Sequence, residues 1–129
     1  MINPCLQVAQ TEKKGRAVFT DKRIAAGTVV EISPVIVMPA SDRKLLDQTL
    51  LHDYIFEWGN TKKQCCMALG LIPIYNHSYT SNCEYFMDFD EQTIFVKTVR
   101  DIRKGEELTI NYNGDWNDVK KVWFDVLGD

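Results

Sequence analysis

The sequence has no apolar run long enough to cross a membrane, because its longest apolar stretches, 28–40 and 67–75, are interrupted by polar residues or proline. A spanning helix needs about 20 consecutive apolar residues. The first five residues also lack the basic and apolar regions of a signal peptide. We therefore expect an intracellular protein, cytoplasmic or, in a eukaryote, nuclear, that does not bind membranes.

The sequence also has little of what a metal site needs. Its four cysteines show neither CxxC nor CxC spacing, and only two histidines, His52 and His77, are present. Zinc sites are usually built from such paired ligands, so we expect no metal. Adjacent Cys65 and Cys66 fit buried, reduced thiols better than a disulfide framework.

Length and charge limit the architecture further. A chain of 129 residues with 45% hydrophobic and 26% charged residues is the size and composition of one globular domain, which we expect to span 1–129. Residues 1–64 carry 9 Lys and Arg against 7 Asp and Glu, whereas residues 65–129 carry 6 against 11. The acidic half favours a basic ligand over nucleic acid, although a solvated surface is the simpler explanation of the count alone.

Short β-branched segments separated by turns predict a mostly β fold. The clearest hairpin joins 86–88 to 93–99, and a second joins 6–9 to 17–20 across a polar turn that contains Gly15. A strand at 28–32 should end near Pro34, because proline lacks the N–H that a central strand uses. Further strands are expected at 35–38, 53–58 and 108–110.

Two helices complete the expected elements. Ser41 is a suitable N-cap for a short helix that runs to about residue 51. Residues 118–127 place Val119, Val122, Trp123 and Val126 at helical spacing, which predicts an amphipathic C-terminal helix.

Four features of the sequence carry chemical information. They are the small-residue turn from Lys14 to Phe19, the segment Asn76-His77-Ser78, the segment Gly105-Glu106-Glu107-Leu108-Thr109 that ends at Tyr112, and a large supply of aromatic residues. Each one alone has a plain structural explanation: a hairpin turn, a hydrogen-bonded histidine, a core tyrosine or a filled core. An aromatic set is also able to line a passage for a cation.

In their order and separation, these motifs resemble those of the SET-domain protein lysine methyltransferases. The resemblance covers about residues 14–116, and the short length is similar to that of the minimal stand-alone SET proteins of viruses and bacteria. It implies a β-clip-like fold of small curved sheets, with the C-terminal motif forming a pseudoknot. It also implies an S-adenosylmethionine-dependent protein-lysine N-methyltransferase that acts on a basic protein or peptide such as a histone tail. The acidic balance of residues 65–129 predicts no direct nucleic-acid binding, and the resemblance allows a homodimer.

The resemblance assigns roles to residues of this chain. Tyr112 takes the position of the catalytic tyrosine, between the transferred methyl group and the lysine. The cofactor-binding positions fall on Lys14, Gly15, Arg16, Ala17, Tyr54, Asn76, His77 and Tyr112. The substrate-lysine channel falls on Tyr85, Tyr112 and Trp116.

Two positions depart from the family pattern. Ala17 stands where the family usually has the second glycine of Gly-x-Gly, and Trp116 lies near where relatives carry the Tyr or Phe that sets the number of methyl groups. These departures leave a second hypothesis open, a SET-like module with weak or no catalysis that binds a peptide or partner.

Overall fold

The computed structural model describes residues 1–122, which form nine strands, one α-helix and two single-turn 3-10 helices. The protein is therefore mostly β, as predicted. The helices are α1 (Ala40–Leu46) and the 3-10 turns Leu50–Asp53 and Ile72–Ile74. The strands are β1 (Leu6–Gln10), β2 (Arg16–Thr20), β3 (Val29–Met38), β4 (Phe56–Trp58), β5 (Gln64–Ala68), β6 (Asn76–His77), β7 (Cys83–Asp88), β8 (Thr93–Thr98) and β9 (Glu107–Ile110). Within residues 1–122, no helix is both long and apolar enough to cross a membrane.

A four-stranded sheet in the order β1-β2-β9-β6 carries most of the motif residues. The predicted hairpin of β1 and β2 is confirmed, with Leu6 opposite Thr20 and Gln10 opposite Arg16. Its turn is closed by the Thr11 hydroxyl, which accepts a hydrogen bond from the Lys14 N–H at 2.8 Å. Strand β9 pairs antiparallel with β2 and parallel with β6, so the second and third motifs become neighbours.

A five-stranded sheet in the order β4-β5-β3-β8-β7 packs against the first sheet. The predicted hairpin of β7 and β8 is confirmed. The expectation that a strand ends near Pro34 is wrong, since β3 runs through it without a break. Pro34 lies where β3 changes partner: 29–34 pair with β8 and 35–38 with β5. Its carbonyl accepts a hydrogen bond from the Leu69 N–H at 3.0 Å, and its missing N–H falls where the strand exchanges one partner for the other.

The predicted short internal helix is present, but its start and end differ from the expectation, and the predicted C-terminal helix is not confirmed. The internal helix follows Pro39 rather than a Ser41 cap and ends at Leu46, because α1 buries no side chain that would stabilise a longer helix. No helix is present at 118–122, and the remainder of the predicted C-terminal helix, 123–127, lies outside the described residues. At 118–122 side chains take the backbone groups instead: the Asn111 amide donates to the carbonyl of Asp118 at 2.7 Å, and the Asn113 amide to that of Lys120 at 2.5 Å.

The segment that follows β9 is interlaced with the loop 78–82, in agreement with the expected pseudoknot. Ser78 N–H donates to the carbonyl of Ile110 at 3.0 Å, and Ser81 N–H to that of Trp116 at 3.1 Å. Buried Asn82 donates to the carbonyl of Glu107 at 2.7 Å and accepts from the N–H of Thr109 at 2.8 Å. Its side chain therefore replaces a neighbouring strand along β9 and holds the motif in place.

Acid should weaken the loop that precedes β9. Glu106 accepts a hydrogen bond from Arg100 at 2.5 Å and one from the Arg103 N–H at 3.0 Å, and the Arg100 bond is the main cause that lowers the pKa of Glu106 to about 2. Because the folded-state pKa lies below the unfolded value of 4.5, the stability from ionised Glu106 is present above pH 4.5 and is lost as pH falls towards about 2.

The free energy of unfolding, measured with denaturant over this pH range, should therefore fall less steeply with pH for Glu106→Gln than for the wild type. The exposed Glu91→Gln variant is the control, and an unchanged slope in Glu106→Gln would contradict this role.

Candidate active site

Two adjoining cavities lie between the ends of the two sheets. The larger has a volume of about 1020 Å³ and the smaller about 210 Å³. They share the residues Lys14, Asp53, Tyr54, Pro73, Asn76 and Tyr112, so they form one cleft with two compartments. The smaller cavity is completed by Gly15, Arg16 and Ile74.

The turn between β1 and β2 forms the floor of the smaller cavity. Gly15 has a φ of +73°, and a Cβ built on it would meet no atom within 4 Å, so the backbone faces open space. The Asn76 amide donates to the carbonyl of Arg16 at 3.2 Å and to Glu107 at 2.9 Å. Glu107 in turn lies 3.5 Å from the Lys14 ammonium. Three distant segments are thereby joined around one small polar pocket.

His77 positions the backbone of Tyr112. Its Nδ1 atom accepts a hydrogen bond from the Tyr112 N–H at 3.0 Å, which requires that this nitrogen carry no proton. The imidazole also packs edge-to-face against Tyr79, with 4.4 Å between ring centroids, and lies 5.0 Å from the ring of Tyr112. The imidazole therefore serves as a structural acceptor in the wall of the cleft.

Tyr112 lies at the junction of the two cavities with its hydroxyl held in one direction. The hydroxyl donates to the carbonyl of Tyr75 at 2.9 Å, so towards any further partner the oxygen acts as an acceptor. Burial, followed by the charge of Asp53, raises the pKa of Tyr112 to about 12. The phenol is therefore protonated near neutral pH.

An aromatic wall extends from Tyr112 into the larger cavity. The Tyr85 hydroxyl donates to the carbonyl of Tyr112 at 3.3 Å, and burial raises the pKa of Tyr85 to about 12. The ring of Tyr85 packs edge-to-face on Phe56, with 5.2 Å between centroids. A cationic side chain that enters here would meet rings on one side and lose hydrating water, which disfavours its charged form.

The comparisons with known proteins decide the family. The SET-domain family model matches residues 15–113. The chain belongs to the SET-domain family. A Schizosaccharomyces pombe protein named histone-lysine N-methyltransferase, H3 lysine-37 specific, is 35% identical over 126 residues, which cover 97% of this chain and 80% of the relative. This SET-domain chain is accordingly a protein-lysine N-methyltransferase.

Solved structures confirm the SET fold. A Plasmodium falciparum protein described as a candidate histone methyltransferase has a TM-score of 0.66 and 24% identity, and the match covers 86% of this chain and 99% of that one. ATXR5, solved in complex with histone H3.1, has a TM-score of 0.69 and 20% identity, and the match covers 88% of this chain and 59% of that one. At these identities the likeness concerns the fold.

The SET-domain cleft brings together most of the residues that the sequence singled out. Those that line one or both cavities are Lys14, Gly15, Arg16, Tyr54, Asn76, His77, Tyr85 and Tyr112. Ala17 is fully buried in β2 and lines neither cavity; it has no positive φ, so its methyl group causes no backbone strain. Trp116 is 39% exposed and also lines neither cavity. The roles assigned to these two residues stay predictions.

Sequence reasoning missed several residues of the SET-domain cleft. Pro73 and Met87 line it, and Asp53 lies in both compartments, whereas Phe56 belongs to the aromatic set that was expected to fill the core or to line a passage for a cation. Glu31 lies within the predicted strand 28–32, where nothing in the sequence marks it, yet it is fully buried and hydrogen bonded to Tyr75. A bulge between Val29 and Glu31 turns two consecutive side chains inwards, which strand alternation does not indicate.

Proposed function

We propose that the smaller cavity binds the amino-acid end of S-adenosylmethionine, that the adenosine end extends along Asn76 and His77, and that the aromatic side of the larger cavity admits a substrate lysine, which is methylated on its ε-amine. The observation that carries this proposal is the position of Tyr112, which lines both cavities and has its hydroxyl fixed by Tyr75. SET methyltransferases as a family use S-adenosylmethionine, so the question for this chain is whether its residues fit the molecule.

The lining of the smaller cavity fits the amino-acid end of that cofactor. A carboxylate finds the cations Lys14 and Arg16, and an ammonium group finds the carboxylate of Asp53. The open backbone at Gly15 permits a close approach, and the amide of Asn76 lies on the same wall. When bound, the cofactor supplies a methyl group activated by a positively charged sulfur.

The protein residues must present the lysine as a neutral amine. A free lysine has a pKa of about 10.4, so about one molecule in a thousand is neutral near pH 7.4, a cost of about 4 kcal/mol. The rings of Tyr85, Phe56 and Tyr112 reduce this cost because they displace water from the ammonium group. The proton leaves to water, and the Tyr112 oxygen accepts a hydrogen bond that orients the amine. No residue of the cleft needs to act as a general base.

Removal of the Asn76 amide should weaken cofactor binding. Asn76→Ala loses the donor shared by Arg16 and Glu107, and it leaves both acceptors without that partner. We expect the Kd for S-adenosylmethionine to rise by about tenfold or more, measured by calorimetry beside a melting curve. Asn60→Ala is the control, because Asn60 is exposed and lines neither cavity. Equal affinities in the wild type and Asn76→Ala would remove Asn76 from the cofactor site.

We further propose that the substrate is a basic, histone-like segment. The name of the S. pombe relative and the acidic balance of residues 65–129 support this substrate class. A histone substrate would also place the enzyme in the nucleus of a eukaryote. The test is mass spectrometry of core histones and of unrelated basic proteins after incubation with enzyme and S-adenosylmethionine. We expect lysine methylation on a histone; methylation confined to the other proteins would overturn the histone assignment.

Three further expectations, which concern the extent of the domain, nucleic-acid binding and dimerisation, stay predictions. The chain is proposed to form one SET domain over 1–129, to bind no nucleic acid directly and to form a homodimer. A row of apolar side chains across three strands, Ile32, Phe95 and Phe86, supports the homodimer, because Ile32 and Phe86 are 42% and 40% exposed. Light scattering at several concentrations tests this point, and a monomer at all of them would contradict it.

A further inference from the structure

A buried carboxyl group lies beneath the cleft and outside the residues assigned above. Glu31 has no exposed surface, and all its recorded partners are donors. One carboxyl oxygen accepts from the Ser33 hydroxyl at 2.7 Å and from the Leu71 N–H at 2.8 Å. The other accepts from the Tyr75 hydroxyl at 3.2 Å. Burial raises the pKa of Glu31, so the protein retains this acid at an electrostatic cost.

Tyr75 connects this carboxyl group to the site. The residue is only 1% exposed, and both of its ends are hydrogen bonded. Its hydroxyl donates to Glu31 at 3.2 Å, while its backbone carbonyl accepts from the Tyr112 hydroxyl at 2.9 Å. The direction of the Tyr112 hydroxyl therefore depends on a carbonyl whose own residue is held in place by Glu31.

Gly70 approaches Glu31 so closely that no further atom would fit between them. A Cβ built on Gly70 would lie 2.4 Å from a Glu31 carboxyl oxygen and 2.5 Å from the Ser33 hydroxyl. The 3-10 turn Ile72–Ile74 leads from this contact directly into Tyr75. Close packing on all sides is what transmits a fixed position from one residue to the next.

We propose that Glu31 is a positioning residue for methyl transfer: it holds Tyr75, and through the Tyr75 carbonyl it fixes the direction of the Tyr112 hydroxyl. This inference rests on the proposed role of Tyr112. A misdirected hydroxyl would leave cofactor and peptide bound but the amine poorly aligned. Loss of Glu31 should consequently lower kcat and leave KM unchanged, which a merely structural role would not produce.

The test compares Glu31→Gln and Tyr75→Phe with the wild type. We expect kcat to fall about tenfold in each, with KM for S-adenosylmethionine and for peptide within about twofold. Thr98→Val is the matched control, because Thr98 is also buried and its hydroxyl hydrogen bonds to Ala25, away from the cleft. It should lower the melting temperature and leave kcat unchanged. If Glu31→Gln does not fold, Tyr75→Phe alone tests the link.

A double-mutant cycle separates this inference from the proposed function. In a Tyr112→Phe background, Glu31→Gln should reduce kcat no further, because the hydroxyl that it positions is already absent. A further tenfold reduction there, or normal kcat in both single variants, would overturn the inference while leaving the role of Tyr112 intact. Full turnover in Tyr112→Phe alone would instead contradict the proposed function.

Discussion

Tyr112→Phe should lower the kcat of methyl transfer by about two to three orders of magnitude, the usual cost of removing one preorganised polar group from a transition state. The substitution keeps the ring and removes only the hydroxyl. Without it, the amine loses the oxygen that orients it at the junction of the two cavities. The fold should survive, because the hydrogen bond to the Tyr75 carbonyl that is lost contributes about 1 kcal/mol to stability.

The measurement for Tyr112→Phe is single-turnover methylation of a histone peptide, with calorimetry of cofactor binding and a melting curve for each variant. The control is Tyr79→Phe. In the wild type the Tyr79 hydroxyl accepts a hydrogen bond from the Val122 N–H at 3.2 Å, and Tyr79 lines neither cavity. Tyr79→Phe should lose some stability and keep kcat. Turnover of Tyr112→Phe within about twofold of wild type would exclude a catalytic role for this hydroxyl.

Among the six glycines that the structure describes, Gly70→Ala should produce the largest loss of stability. Gly70 has a φ of +74°, and its added Cβ would meet the Glu31 carboxylate and the Ser33 hydroxyl at distances no real contact allows. The backbone cost of a side chain at positive φ is about 1 kcal/mol. Overpacking and the disturbed buried hydrogen bonds add about 2–3 kcal/mol.

Gly27→Ala isolates the backbone part of this effect. Gly27 has nearly the same φ, +76°, but no atom lies within 4 Å of its added Cβ. Denaturant unfolding should give a loss of about 1 kcal/mol for Gly27→Ala and about 3–4 kcal/mol for Gly70→Ala. Equal losses of unfolding free energy in the two variants would mean that the space between Gly70, Glu31 and Ser33 is not tightly packed.

The sequence predicted the parts of the site that depend on local motifs in a known order. Asn76 and His77 lie beside Thr109 and Ile110 in a parallel pair, which is why two motifs whose paired residues are 33 positions apart in the chain converge on Tyr112. The two hairpins were predicted because their turns and alternation are local. The resemblance to SET proteins then supplied the roles that spacing alone does not.

The unpredicted parts depend on contacts between residues distant in the chain. Strand β3 passes through Pro34 because two partner strands meet there, and Glu31 is buried because of a bulge. Helical spacing at 118–122 was overridden by the amides of Asn111 and Asn113, which take backbone carbonyls of that segment. Neither hydrophobic periodicity nor helix propensity reports contacts between residues that are distant in the chain.

A crystal structure with S-adenosylhomocysteine and a lysine peptide tests the central claim most directly. We expect the cofactor product beside Gly15 and Asn76, and the lysine amine against the Tyr112 hydroxyl with Tyr85 along its stem. A cofactor bound elsewhere, or a Tyr112 ring turned away from the lysine, would contradict the account.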